Sequence, residues 1–178
     1  HLAENKQDDR FPFAFLSTYT SRISGHAKVQ HLPLGRAIEE YAGARNKSAL
    51  LALLSPVQKA AAASEFLKKL VDSGRIFHPA GWTPKEAYRF LKDIPAYESA
   101  GVIVRVPDWW KSKRPARPQV TVTVGTRAAS NLGANALLDF SVRLTLDGEP
   151  LSEQDWRAAL AATDGLALIR GQWVEIDR

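Results

Sequence analysis

The sequence predicts an α+β fold, with an N-terminal helical subdomain followed by a mainly antiparallel β subdomain that carries one helix and a C-terminal hairpin. Three observations predict it. Leu and Ala recur at helical spacing from Leu34 to Leu70, the period changes from helical to two after Gly101, and the chain finishes on two short apolar runs that flank Gly171. Runs of helix followed by runs of strand favour segregated α+β layers over alternating βαβ units.

The first ten residues are polar and read as a flexible lead-in, residues 1–10. FPFAFLSTYT then places Phe11, Phe13 and Phe15 on an apolar stretch suited to core or domain-edge packing, and GHAKVQHLP reads as a loop. From Leu34 to Leu70, breaks at Pro56 and near Asn46 predict two or three short helices, and Gly74 supplies a C-terminal stop. TPKEAYRFLKDI carries the clearest start signal: Thr83 as cap, Pro84 at the first helical position and Glu86 completing a capping box. Ala87, Phe90, Leu91 and Ile94 form that helix's apolar face, and Pro95 ends or kinks it.

After Gly101, VIVRV and QVTVTVG read as strands, as does LLDFSVRLTL up to Asp147-Gly148. Ser152 and Asp155 open a helix over SEQDWRAALAAT, and LALIR and WVEID form a hairpin with Gly171 in its turn. The layout is thus a lead-in 1–10, a helical subdomain 11–104 ending in a strand, a Pro-rich basic connector 105–118 and a β-rich subdomain 119–178.

The net charge of +5 is unevenly placed. Six Lys/Arg face the single Asp108 between Arg105 and Arg127, whereas Ala128 to Arg178 holds four Lys/Arg against eight Asp/Glu. Concentrated cations attract phosphate backbones. The absence of cysteine removes disulfides, thiolate metal sites and Cys nucleophiles, and fits a cytoplasmic protein. No apolar run approaches the ~20 residues that span a bilayer, so no membrane partner is expected. With no methionine, even at residue 1, the chain is expected to be a piece of a larger protein.

Catalytic motifs are sparse. No G-x-x-x-x-G-K-[ST] occurs, and GTRAASNLG reads as a turn-rich loop. His26 and His31 lie in a loop without the spacing of metal ligands, and His78 reads as a loop histidine. No G-x-S-x-G surrounds Ser17, Ser55, Ser130 or Ser141, and nothing in the spacing pairs Asp139, Asp147 and Glu149. The chain is therefore expected to be no enzyme by itself.

What remains is PDWWKSKRPARPQV, Pro107–Val120, whose prolines argue against a helix. Its candidate nucleic-acid contacts are Arg105, Lys111, Lys113, Arg114, Arg117 and Arg127, with Trp109 as a stacking face. Burial of Trp109 or Trp110 as an anchor is the competing expectation, and the two roles are compatible if the cations face outward.

LLDFSVRLTLDGEPLSEQDWRAALAATDGLALIRGQWVEID resembles the accessory domain that precedes the ATPase motor in bacterial Swi/Snf-type DEAD/DEAH-box helicases. Asp139, Phe140, Leu151, Ser152, Trp156, Arg170, Gly171, Trp173, Val174 and Glu175 carry the likeness. FPFAFLSTYT, HLPLGRAIEEYAG, FHPAGWTPKEAYRFL and PDWWKSKRPARPQV extend it upstream. The resemblance implies a parent ATP-dependent translocase on double-stranded nucleic acid. It places the ATP and magnesium sites in the parent's motor, with no cofactor and no catalytic residue in this chain. The implied partners are double-stranded DNA and the ATPase lobes of the same polypeptide. The alternative is a protein-interaction module that docks on the motor or a partner subunit through an apolar patch near Trp109 or Phe11–Phe15.

Overall fold

A computed structural model of the chain describes residues 1–21, 30–42, 46–111, 118–125, 139–162 and 165–176. It confirms the α+β class and divides the chain into two compact units, His1–Lys111 and Ser112–Arg178.

In the first unit strands come before helices, contrary to the expected order. Leu2–Glu4, within the expected lead-in, is β1, and Phe13–Phe15 is β2. The polar composition of the lead-in hides a three-residue strand held by one side chain, Leu2, which is 3% exposed. β3 (Thr18–Ser21) pairs antiparallel with β4 (Gln30–Pro33), so the end of GHAKVQHLP is strand where a loop is expected. Three helices follow: α1 (Leu34–Ala42), α2 (Lys47–Ala63) and α3 (Glu65–Asp72).

Pro56 does not break α2. Proline in a helix interior removes one backbone donor, and the packing of α2 on α1, α3 and α5 (Ile94–Ser99) offsets that loss. The break falls at Ser64 instead, because that residue does two jobs in an extended conformation. Its hydroxyl accepts the Leu67 N–H at 3.1 Å, capping α3, and donates to Asp93 at 2.5 Å. Gly74 follows α3 at φ 73°, as the stop signal requires.

β5 (Ala80–Trp82) joins β1 and β2 in an antiparallel sheet of order β1-β2-β5, with Phe13 opposite Trp82. α4 (Pro84–Lys92) begins with the expected capping box: Glu86 N–H reaches the Thr83 hydroxyl at 3.3 Å, and the Thr83 N–H reaches the Glu86 carboxylate at 3.0 Å. The buried face of α4 is Ala87, Phe90 and Leu91, as the periodicity predicts. Pro95 sits in the first turn of α5, where its missing N–H costs nothing.

Two further expectations are corrected. VIVRV is extended but joins no ladder: the Arg105 carbonyl accepts from Leu2 N–H at 2.8 Å and Val102 N–H donates to Tyr97. Asp108–Lys111, in the segment where prolines argued against a helix, forms a one-turn helix, α6. Asp108 follows Pro107 directly, so no proline falls inside that turn, and Trp110 N–H bonds the Pro107 carbonyl at 3.0 Å.

The second unit follows the β-rich expectation. β6 (Gln119–Gly125) pairs antiparallel with β7 (Asp139–Leu146), and β7 with β8 (Glu149–Pro150). α7 (Glu153–Ala161) precedes the hairpin of β9 (Leu166–Ile169) and β10 (Gln172–Glu175). Asp147-Gly148 and Arg170-Gly171 take φ of 51° and 85°, and 51° and 76°, the two positive values in succession that a two-residue hairpin turn demands.

Asp155 connects three elements of this unit. Its carboxylate accepts the Ser152 N–H at 3.0 Å, closing the cap of α7, and accepts Arg170 Nη2 at 2.8 Å. Arg170 also donates to the Pro150 carbonyl at 2.9 Å. The Ser152 hydrogen bonds, with Arg170 adding, hold the Asp155 carboxyl below its ordinary value of 3.8. A carboxylate depressed in the fold stabilises above its ordinary range, and that stabilisation is lost as pH falls through the folded value. Asp155→Asn should therefore melt earlier than the wild type at neutral pH, with the gap closing in acid below that ordinary value. Thermal melts at both pH values check this, and an equal gap at both would count against it.

Candidate nucleic-acid interface

The cations singled out in the sequence fall into two groups. Arg105 and the backbone of Lys111 are described, whereas Lys113, Arg114, Arg117 and Arg127 lie outside the described residues, as does GTRAASNLG beyond Gly125. Along Val102–Val106 the exposure alternates, with Ile103 and Arg105 outward and Val102, Val104 and Val106 half-buried. The bond from Leu2 N–H to the Arg105 carbonyl fixes this segment beside β1. Arg105 thus presents its guanidinium from a fixed backbone.

Trp109 and Trp110 are both half-buried. The Trp109 ring lies 6.3 Å from that of Phe13, tilted by 56°, and its indole N–H donates to the Glu4 carboxylate. Trp110 meets Trp109 edge-on, with ring centroids 6.1 Å apart. Phe13 is wholly buried, so Trp109 seats α6 on the β1–β2 pair. Aromatic contact beyond simple area burial adds about 0.5–1.5 kcal/mol, and the N–H finds the partner that a half-buried indole needs. Glu4, 105 residues away in sequence, carries no local signal that would have identified it as that partner.

Arg105 also lines a cavity of about 270 Å³ walled by apolar side chains such as Phe15, Leu34, Val57 and Phe90. His31 reaches it, but none of the residues lining it is Asp or Glu. Paired-carboxylate chemistry is therefore not assembled there. Among the described residues no three His, Cys, Asp or Glu side chains group closely enough to hold a metal ion, and no helix is long and apolar enough to cross a membrane.

What the described strip can do is place charge. Arg105 is held from one side by β1, and α6, which ends at Lys111, is pinned by Trp109. The comparison with known proteins bears on what such a strip meets. The SNF2 helicase protein family model matches residues 75–178, more than half of the chain. The chain belongs to this family. It is also 35% identical over 96 residues to "Putative ATP-dependent helicase/translocase YwqA" of Bacillus subtilis (strain 168), a match covering 52% of this chain and 10% of that protein. The matched part of the chain thus spans about a tenth of the length of that relative. No solved structure matches it. The matched span includes the helix start at Thr83, α6 and the whole second unit. It is an accessory domain associated with SNF2-type helicases.

Proposed function

We propose that this domain holds duplex DNA for an SNF2-type helicase in the cytoplasm, through Arg105, Lys111, Lys113, Arg114, Arg117 and Arg127. Hydrolysis of ATP with magnesium belongs to the motor lobes elsewhere in the parent protein. The observation that carries the reading is the concentration of six Lys/Arg against one Asp between Arg105 and Arg127, in a chain of this family. Phosphate contacts of this kind supply affinity with little base specificity and with a steep salt dependence, about 0.9 in the log-log slope per neutralised phosphate. Trp109, engaged by Phe13 and Glu4, serves in this reading to anchor the strip, and any stacking on a base is secondary to that.

The test is a titration of the chain with a labelled duplex at about 50 and about 200 mM salt, with and without Lys113, Arg114 and Arg117 changed to Glu. The expected result is weaker binding by at least about tenfold and a slope smaller by about three. Equal affinity and slope in the variant would sink the reading.

A second reading, docking on the motor lobes without DNA contact, is favoured by Ile103, a large apolar side chain 85% exposed beside Arg105. Ile103→Ser would then alter coupling to ATP hydrolysis in the parent while leaving duplex affinity intact.

A further inference from the structure

The cavity of the first unit takes no part in the proposed function, apart from Arg105 at its edge. Its volume is about 270 Å³, whereas protein interiors hold few voids larger than a water molecule. An apolar cavity of about 150 Å³ stays dry and holds benzene. One of nearly twice that volume has room for a ring with a short chain attached.

The walls grade from buried to exposed. Phe15, Leu34, Leu67, Ile76 and Phe90 are buried and form the floor. Thr20, His31, Gly101, Ile103 and Arg105 also line the cavity but are exposed, and so mark its mouth. Thr20 and His31 are register partners on β3 and β4. The other three belong to the extended segment after α5, which backbone bonds tie at both ends: Val102 N–H to the Tyr97 carbonyl at 3.0 Å, and Leu2 N–H to the Arg105 carbonyl at 2.8 Å. One side of the mouth is therefore fixed.

Floor and mouth differ in chemistry. The buried hydroxyls of the wall are engaged outside the cavity: Tyr19 donates to the Glu40 carboxylate, and Tyr97 Oη lies 3.2 Å from Ser64 Oγ. A ligand body with polar edges, such as a sugar, would lose water at this floor without gaining partners. An apolar body loses nothing there and gains contact with Phe15 and Phe90. At the mouth Arg105 supplies a guanidinium and His31 a hydrogen-bonding group, and among the described residues that line the cavity none is Asp or Glu. Small-molecule sites share this plan of mostly apolar walls with a few placed polar groups that fix orientation.

We infer that this cavity binds a small amphipathic anion, with an apolar ring-and-chain body against Phe15 and Phe90 and one carboxylate at Arg105. The inference goes beyond the proposed function and is independent of whether the domain meets nucleic acid.

The test is calorimetric titration of the 178-residue chain with phenylbutyrate and with phenylbutanol, its neutral counterpart. The expected result is saturable one-site binding of both, with phenylbutyrate tighter by about two- to fivefold, as an exposed ion pair gives. Arg105→Gln should abolish that preference and leave phenylbutanol binding unchanged. Val57→Phe puts a ring into the cavity from α2 and should weaken both ligands at least about tenfold by excluding their bodies. Far-UV circular dichroism with a melt verifies folding, and Val102→Phe, on the extended segment, serves as the second arm should the α2 variant fold poorly. A wild-type chain that binds neither ligand overturns the inference. Wild-type affinity in a folded phenylalanine variant also overturns it, because the ligand then sits elsewhere. Equal affinity for the two ligands, unchanged by Arg105→Gln, removes the anionic class and with it the proposal. Duplex affinity enters none of these arms, so failure here leaves the proposed function standing, and failure of the duplex titration leaves this site standing.

Discussion

Replacing Trp82 with alanine is expected to cost about 3–5 kcal/mol and to unfold the first unit under conditions where the wild type stays folded. Trp82 ends β5 at zero exposure. Its ring stacks on Phe15 at 4.1 Å and 9°, and the edges of Phe66 and Phe90 meet it, each at 5.4 Å. Phe90 in turn contacts Tyr97 at 5.0 Å. One side chain therefore joins the sheet to α3, α4 and, through Phe90, α5, and truncation leaves a cavity that its three aromatic neighbours cannot fill by small shifts. Domains have about 5–15 kcal/mol in total, so the loss is a large share.

The indole N–H of Trp82 has no hydrogen-bond partner among the described residues, which separates ring packing from polarity. Trp82→Phe keeps a stacked ring and removes a buried donor whose desolvation costs about 1–3 kcal/mol, so its loss should be less than half that of Trp82→Ala. Urea melts followed by far-UV circular dichroism, with hydrogen exchange at β2 and α4 amides, measure both. Equal losses for the two variants would mean that the aromatic stack does not govern the unit.

Local rules read this sequence well where the determinants were neighbours in the chain. The Thr83–Glu86 and Ser152–Asp155 capping boxes, the Gly74 stop and the Gly171 turn each need only a few adjacent residues, and each is present. Errors cluster where a distant partner decides. Leu2–Glu4 is polar enough to pass for a lead-in, and becomes a strand because Phe13–Phe15 and the Arg105 carbonyl are waiting for it. Pro56 is tolerated because α2 packs on neighbours, while the break at Ser64 depends on Asp93, 29 residues on.

The site followed the same division. Charge concentration from Arg105 to Arg127 was visible in composition, but the seat of Trp109 on Phe13 and Glu4 required the fold.

In the second unit the largest effect is expected from Ile169→Ala, at about 2–5 kcal/mol, while the adjacent Leu168→Ala should cost less than about 1 kcal/mol. The two residues are neighbours on β9 and point to opposite faces. Ile169 is 1% exposed in a small core with Leu146, Ala167 and Val174, against which Leu151, Ala158, Ala159 and Ile176 pack. Leu168 is 53% exposed, paired across the hairpin with Trp173. The contributors from α7 are alanines, which have no longer side chains to swing into a void, so the cavity left by Ile169 should persist and the loss should lie in the upper part of that range. Ile169→Val removes one methylene and should cost about 0.5–1.5 kcal/mol. Exchange protection at β9 and β10 amides ranks the three variants, and a Leu168→Ala effect equal to that of Ile169→Ala would show that both faces of the hairpin are covered.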